Sequence, residues 1–217
     1  MTARDLTLVV VGYDEQNMRR FDLSHVNASE VVLVINYRQL PLSDIGNWFL
    51  GLRALPATGG IFGMCHADTT FGPGALDVLA DTAGKGAVCG IVGMNPLLKE
   101  GDPGANPGGA ANQRWGEVWS NQNPGPVDTL DSASVFFRRD SGLRFDSINF
   151  DGMHCHVEDL CLQASQMKGM PILVPPCEAS HGGNPNFQDW NDSWHADYRV
   201  YAERLRKKWA GVRFGTT

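Results

Sequence analysis

Two runs of the chain are almost wholly apolar: Leu6 to Val11, broken only by Thr7, and Val31 to Ile35, ending on Gly12 and Asn36. Such runs, rich in β-branched residues, predict strands buried on both faces of a parallel sheet. The polar stretch between them, Asp14 to Asn27, has room for a short helix. A third strand is predicted over Gly60 to Cys65, running straight into His66-Ala67-Asp68. After Pro73, residues Ala75 to Ala83 carry Leu76, Leu79 and Ala80 at helical spacing, with proline at the start where its missing N–H costs nothing. Ala87 to Val92 is a fourth strand. Strands alternating with helices predict an α/β domain with a mainly parallel central sheet flanked by helices.

The pattern breaks over Lys99 to Pro126, where Gly, Pro and Asn dominate (GDPGANPGGAANQ) and a loop is expected. Loops this long inside a compact domain are usually functional or disordered. The part around Asp102 to Gln122 carries Trp115 and Trp119. Strand character returns over Val127 to Arg138. Glu158 to Lys168 predicts a helix with Leu160, Ala164 and Met167 on one face and Gly169 as its stop. Ile172 to Val174 is a short strand before Pro175-Pro176. Tyr201, Leu205 and Trp209 mark an amphipathic C-terminal helix.

With 217 residues, 42% of them hydrophobic, residues 1–217 suit one domain with a substantial core. The formal net charge of −6 argues against a surface built for polyanions as a whole. The terminal helix is the exception, with Arg204, Arg206, Lys207 and Lys208 beside one acid, Glu203. It reads as a solvated cationic face or as a dock for a phosphate backbone. The five cysteines (65, 89, 155, 161 and 177) form no CxxC pair and sit mostly in apolar runs. Buried reduced thiols are expected. No secretory leader is evident, and no stretch reaches the roughly 20 apolar residues of a membrane span. A cytoplasmic location is the expectation.

Three polar clusters fall at strand ends or a helix start, where open α/β sheets bind ligands. In His66-Ala67-Asp68 an extended backbone puts both side chains on one side, able to hold a divalent cation or simply to bond each other. His156-Val157-Glu158-Asp159 places Glu158 and Asp159 in the first turn of a helix, a position the dipole also favours without any catalytic role. Adjacent helical residues diverge by about 100°, so one of the two can face a given pocket. In Ser180-His181-Gly182-Gly183 a histidine stands in a glycine-rich setting that suits ligand contact.

The order of these segments resembles small members of the family 2-like GT-A glycosyltransferases. HADTTF followed by PGAL is similar to the family's metal-binding signature in its HxD form. HCHVEDLCLQASQMKGMPILVPP resembles its acidic helix and following strand, SHGG its downstream histidine, and SASVFFRRDSGLRFDSINF the stretch before the acidic helix. The likeness runs from Leu6 to about Trp209.

The resemblance implies a GT-A (nucleotide-diphospho-sugar transferase) fold, with a nucleotide-binding half over 1–95 and an acceptor or catalytic half over 96–217. It implies a metal-dependent, inverting transfer of a sugar from a nucleotide-sugar donor, UDP-sugar favoured, to an acceptor hydroxyl. Asp68 is then the main ligand of Mn²⁺ or Mg²⁺, bridging it to the donor diphosphate. His66 is its neighbour and His181 completes the site. Asp159 is the general base, Glu158 the second choice. Gly12, Tyr13, Asp14 and Asn36 line the nucleotide, with Asn36 departing from the family's Asp. The acceptor is a glycan, small molecule or protein, or a nucleic acid bearing hydroxymethylated bases. Two other readings stand beside it: a non-catalytic nucleotide-sugar-binding module and a nucleotidyltransferase.

Overall fold

The structure, a computed structural model, describes residues 5–19, 21–36, 39–51, 60–94, 124–181, 192–212 and 214. In chain order the elements are β1 (Leu6–Gly12), α1 (Glu15–Met18), β2 (Glu30–Ile35), α2 (Leu42–Gly51), β3 (Ile61–His66), β4 (Thr69–Phe71), α3 (Ala75–Gly84), β5 (Val88–Cys89) and β6 (Gly93–Met94). They continue with β7 (Gly125–Pro126), β8 (Thr129–Leu130), β9 (Ser134–Arg138), α4 (His156–Leu162), β10 (Ile172–Val174), β11 (Ala179–His181) and α5 (Asp192–Lys208). A π-helical stretch, Gln163–Met167, extends α4.

Seven strands form one sheet in the order β2-β1-β3-β9-β5-β10-β7. The α/β expectation holds, but the sheet is mixed. Strands β2, β1 and β3 run parallel; β9 then enters antiparallel between β3 and β5, and β10 pairs parallel with β5 and antiparallel with β7. Strands from before and after residue 95 therefore interleave in a single sheet. The expected loop from Lys99 lies mostly outside the described residues, as do Trp115 and Trp119.

Strand β1 is buried along its whole length, and its alternate side chains enter two cores. Leu6, Leu8 and Val10 pack with Leu76, Leu79, Ala80 and Ala83 of α3. Val9 and Val11 pack on the other face with Leu42 and Ile45 of α2 and Val157, Leu160 and Ala164 of the α4 region. Strand β2, predicted to be buried on both faces, is instead the sheet edge, with Leu33 48% exposed. Its apolar run looks like that of β1, and the sequence pattern does not distinguish a central from an edge position.

The close fit of β9 depends on glycines opposite it. Gly63 pairs with Phe136, and a Cβ there would fall 2.5 Å from the Phe136 ring. At Gly90 a Cβ would fall 2.4 Å from the Ser134 carbonyl oxygen. Helix α5 closes a third, smaller core, burying Ala202 and Leu205 against Phe150, Cys155 and Leu162. All five cysteines are free thiols, four of them buried and Cys177 half-buried. Among the described residues no helix is long and apolar enough to cross a membrane.

Candidate metal centre

Strand β3 ends at His66, and a tight turn over Ala67 and Asp68 reverses the chain into β4. Ala67 is buried and donates its N–H to the Val11 carbonyl at 2.9 Å, which fixes the turn against the end of β1. The second half of the chain reaches the same place through β11, which pairs antiparallel with β4 so that His181 lies opposite Thr69. Ligand-type atoms of His66, Asp68 and His181 lie within 4.8 Å of one another. Three residues from two distant parts of the chain thus converge at the carboxyl end of parallel strands β1 and β3. Gly182 and Gly183 lie outside the described residues.

Within the cluster His181 Nε2 and Asp68 Oδ1 are 3.1 Å apart, and the rings of His66 and His181 are 5.6 Å apart. Burial opposes the charge of both members of the His181–Asp68 pair. Their hydrogen bond and mutual attraction outweigh it, holding Asp68 below its ordinary range and His181 above. His66 goes the other way: burial, then the neighbouring His181, lower its pKa against the pull of Asp68 and Asp131. A neutral imidazole is the form a metal needs. His66 Nε2 is moreover buried with no hydrogen-bond partner among the described residues. Buried polar atoms are rarely left so, and two imidazoles with one carboxylate suit Mn²⁺ or another divalent first-row ion. The donor set fits a cation.

The other expected residues divide. Tyr13 belongs to the site: its ring meets His66 edge-on at 6.3 Å, and burial followed by the charges of Asp68 and Asp131 raises its phenol pKa. Gly12 is buried, and a Cβ there would crowd Asn17, Met18 and Ala67 at 3.1–3.2 Å. Asp14 acts locally as the cap of α1, its carboxylate accepting from the Asn17 N–H at 2.6 Å. Asn36 is buried and turns inward. Its amide donates to the Leu40 carbonyl at 2.9 Å and accepts from the Leu40 N–H at 2.8 Å. It builds the turn after β2, and a base-reading role does not fit an amide engaged at both ends.

Asp159 requires a correction. It is fully buried, and its carboxylate accepts from Trp209 Nε1 at 2.7 Å, from Gln163 Nε2 at 2.7 Å and from Lys208 Nζ at 2.9 Å. Both oxygens are taken by the end of α5 and by the turn of helix above. A general base needs a lone pair facing the acceptor, and Asp159 has none to offer in this arrangement. Glu158, one position back, is 2% exposed and packs where its charge acts on Cys155 and Cys161. The same contacts revise the reading of the basic helix. Arg204 bonds Asp151 at 2.7 Å and Lys208 bridges Asp146 and Asp159, so two of the four cations named from the sequence hold the fold together.

Asp131 is a site residue that the sequence pattern does not single out. It follows β8 at a half-buried turn, and its charge acts on Tyr13, His66, His154 and His181. The one signal in the chain is its position directly before the Ser134–Arg138 strand, at another strand end. His156 is fully buried and pushed down to about 3 by burial, then by His66 and His154. A separate cavity of about 240 Å³, lined by Val127, Asp128, Met170 and Phe214 among others, lies at the β7–β10 edge and contains none of these groups.

Scanned against protein-family models, the chain matches none, and a search of curated proteins likewise finds no match.

Proposed function

We propose that the chain is a GT-A-type, metal-dependent, inverting glycosyltransferase that takes its sugar from a nucleotide diphosphate, UDP favoured. The observation that carries this reading is the convergence of His66, Asp68 and His181 at the carboxyl ends of β1 and β3, the crevice where sheets of this class bind nucleotides. Bound there, Mn²⁺ or Mg²⁺ supplies Lewis-acid stabilisation of the charge developing on the leaving diphosphate.

The chain's own residues do the rest. Asp68, 24% exposed, is the carboxylate of the trio that reaches solvent and meets the diphosphate. His181 and His66 come from the walls and fix the ion's position. Tyr13, rising from the end of β1 against His66, lines the nucleotide side. The turn after β2, held by Asn36, is tied to the end of β1 by the Asn36 N–H donating to the Gly12 carbonyl at 2.8 Å.

A thermal-shift screen against UDP-, GDP-, CDP- and dTDP-sugars, each with and without Mn²⁺, tests the proposal. Stabilisation by one nucleotide class that requires the ion supports it. No ion-dependent stabilisation by any of them contradicts it, and binding without any turnover points to a nucleotide-sugar-binding module.

A further inference from the structure

Once Asp159 is committed to α5, the reaction lacks a group to receive the acceptor's proton. Among the carboxylates near the cluster, Asp68 belongs to the metal centre and Glu158 is closed in behind α4. Asp128 lines the separate cavity at the β7–β10 edge. Asp131 differs from all of them in how it is held.

The turn that carries Asp131 is pinned on both sides. Its own N–H donates to the Val92 carbonyl at 3.0 Å. Its Oδ1 accepts from the Ala133 N–H at 2.7 Å. The Ala133 carbonyl in turn accepts from the His66 N–H at 3.1 Å and from Thr69 Oγ1 at 3.2 Å. One residue further on, Ser134 Oγ accepts from the Ile91 N–H at 3.1 Å. The carboxylate is therefore registered, through a single residue, to the two residues that flank the metal-binding turn. The Ala133 N–H is the one hydrogen bond this carboxylate makes among the described residues. Oδ2 remains for a ligand, and the residue is half-buried, not enclosed. A preorganised carboxylate of this kind costs no reorganisation when the reaction begins.

His154 belongs to a group of rings. His154, half-buried, meets Tyr198 of α5 edge-on at 5.7 Å and Tyr201 at 6.2 Å. The charge of Asp131 acts on both His154 and His66.

We propose that Asp131 is the catalytic base that takes the proton of the acceptor hydroxyl. This inference rests on the glycosyltransferase reading above. In the step, the acceptor oxygen bonds to the anomeric carbon as the bond from that carbon to the diphosphate oxygen breaks. The breaking bond's electron pair leaves on the diphosphate, and the hydroxyl proton passes to Asp131 Oδ2.

The test uses UDP-glucose with Mn²⁺ and water as the acceptor, UDP release as one readout and calorimetric binding of UDP with Mn²⁺ as the other. Asp131→Asn is expected to slow release at least about 100-fold, the low end of what a positioned base contributes, with UDP affinity within about twofold of wild type, since the base takes no part in nucleotide binding. Azide, an anion with no proton to lose, is expected to restore UDP release to Asp131→Ala but not to Asp159→Ala. Wild-type release rates in Asp131→Asn overturn the assignment, as does a collapse of UDP affinity, which would make Asp131 a donor-binding residue. Failure of the wild type to bind any of UDP, GDP, CDP or dTDP with Mn²⁺ overturns the glycosyltransferase reading itself and this inference with it.

Discussion

The indole Nε1 of Trp209 donates to Asp159 Oδ1 at 2.7 Å, joining the end of the C-terminal helix to the first turn of α4. Lys208 adds its ammonium to the same carboxylate at 2.8 Å and to Asp146 at 2.7 Å. This contact makes Asp159 a structural anchor and turns the basic terminal segment into a clamp over the 146–151 stretch.

Breaking the clamp should destabilise the fold. Removing the cation from a buried carboxylate is strongly unfavourable, but Lys208 keeps 29% of its side chain in solvent, which places Lys208→Met at about 2–3 kcal/mol. Trp209→Phe, which loses one hydrogen bond to a charged group, should cost about 1–3 kcal/mol. Urea unfolding checks both, and a Lys208→Met midpoint equal to wild type would contradict the clamp.

Acid should release part of it. Burial favours the neutral form of Asp146, but the bonds from Lys208 and Asn149 outweigh it and hold the carboxyl at about 2. A depressed carboxyl stabilises the fold above its unfolded pKa of about 3.9 and loses that contribution as pH falls toward 2. Asp146→Asn should therefore be less stable than wild type by about 1–2 kcal/mol at pH 6. The two should converge near pH 2. A difference that does not change with pH would place the effect in packing, not charge.

Gly90 tests the placement of β9. A Cβ would stand 2.4 Å from the Ser134 carbonyl oxygen, a backbone atom unable to swing aside. Gly90→Ala should cost about 1–3 kcal/mol by overpacking. Equal stability in denaturant melts would show that β5 and β9 pack less closely than described.

Much of the scaffold can be read from the chain because each element carries its own period. The largely apolar run of β1, the Leu76–Leu79–Ala80 face of α3 and the Leu205 face of α5 announce themselves locally. The meeting of His66, Asp68 and His181 is also legible, since each lies at an element end. Helix α2 is absent from the predicted elements, although Pro41 and the spacing of Leu42, Ile45 and Leu50 carry its signal. What stays hidden depends on tertiary partners. Nothing around Asp159 shows that Trp209 returns to it from 50 positions away. The Asn36–Leu40 turn looks in sequence like a strand end open to ligand. Asp131 gains its meaning only when Ala133 bonds the His66 backbone.

The central claim is that His66, Asp68 and His181 form one ion site. Calorimetric titration of Mn²⁺ in the presence of UDP, on wild type, Asp68→Ala and His181→Ala, tests it most directly. The account predicts saturable binding by the wild type and a loss of at least about tenfold in affinity in each variant, as expected when a metal site loses a ligand. Equal Mn²⁺ affinity in all three proteins, or no binding by the wild type, would contradict it.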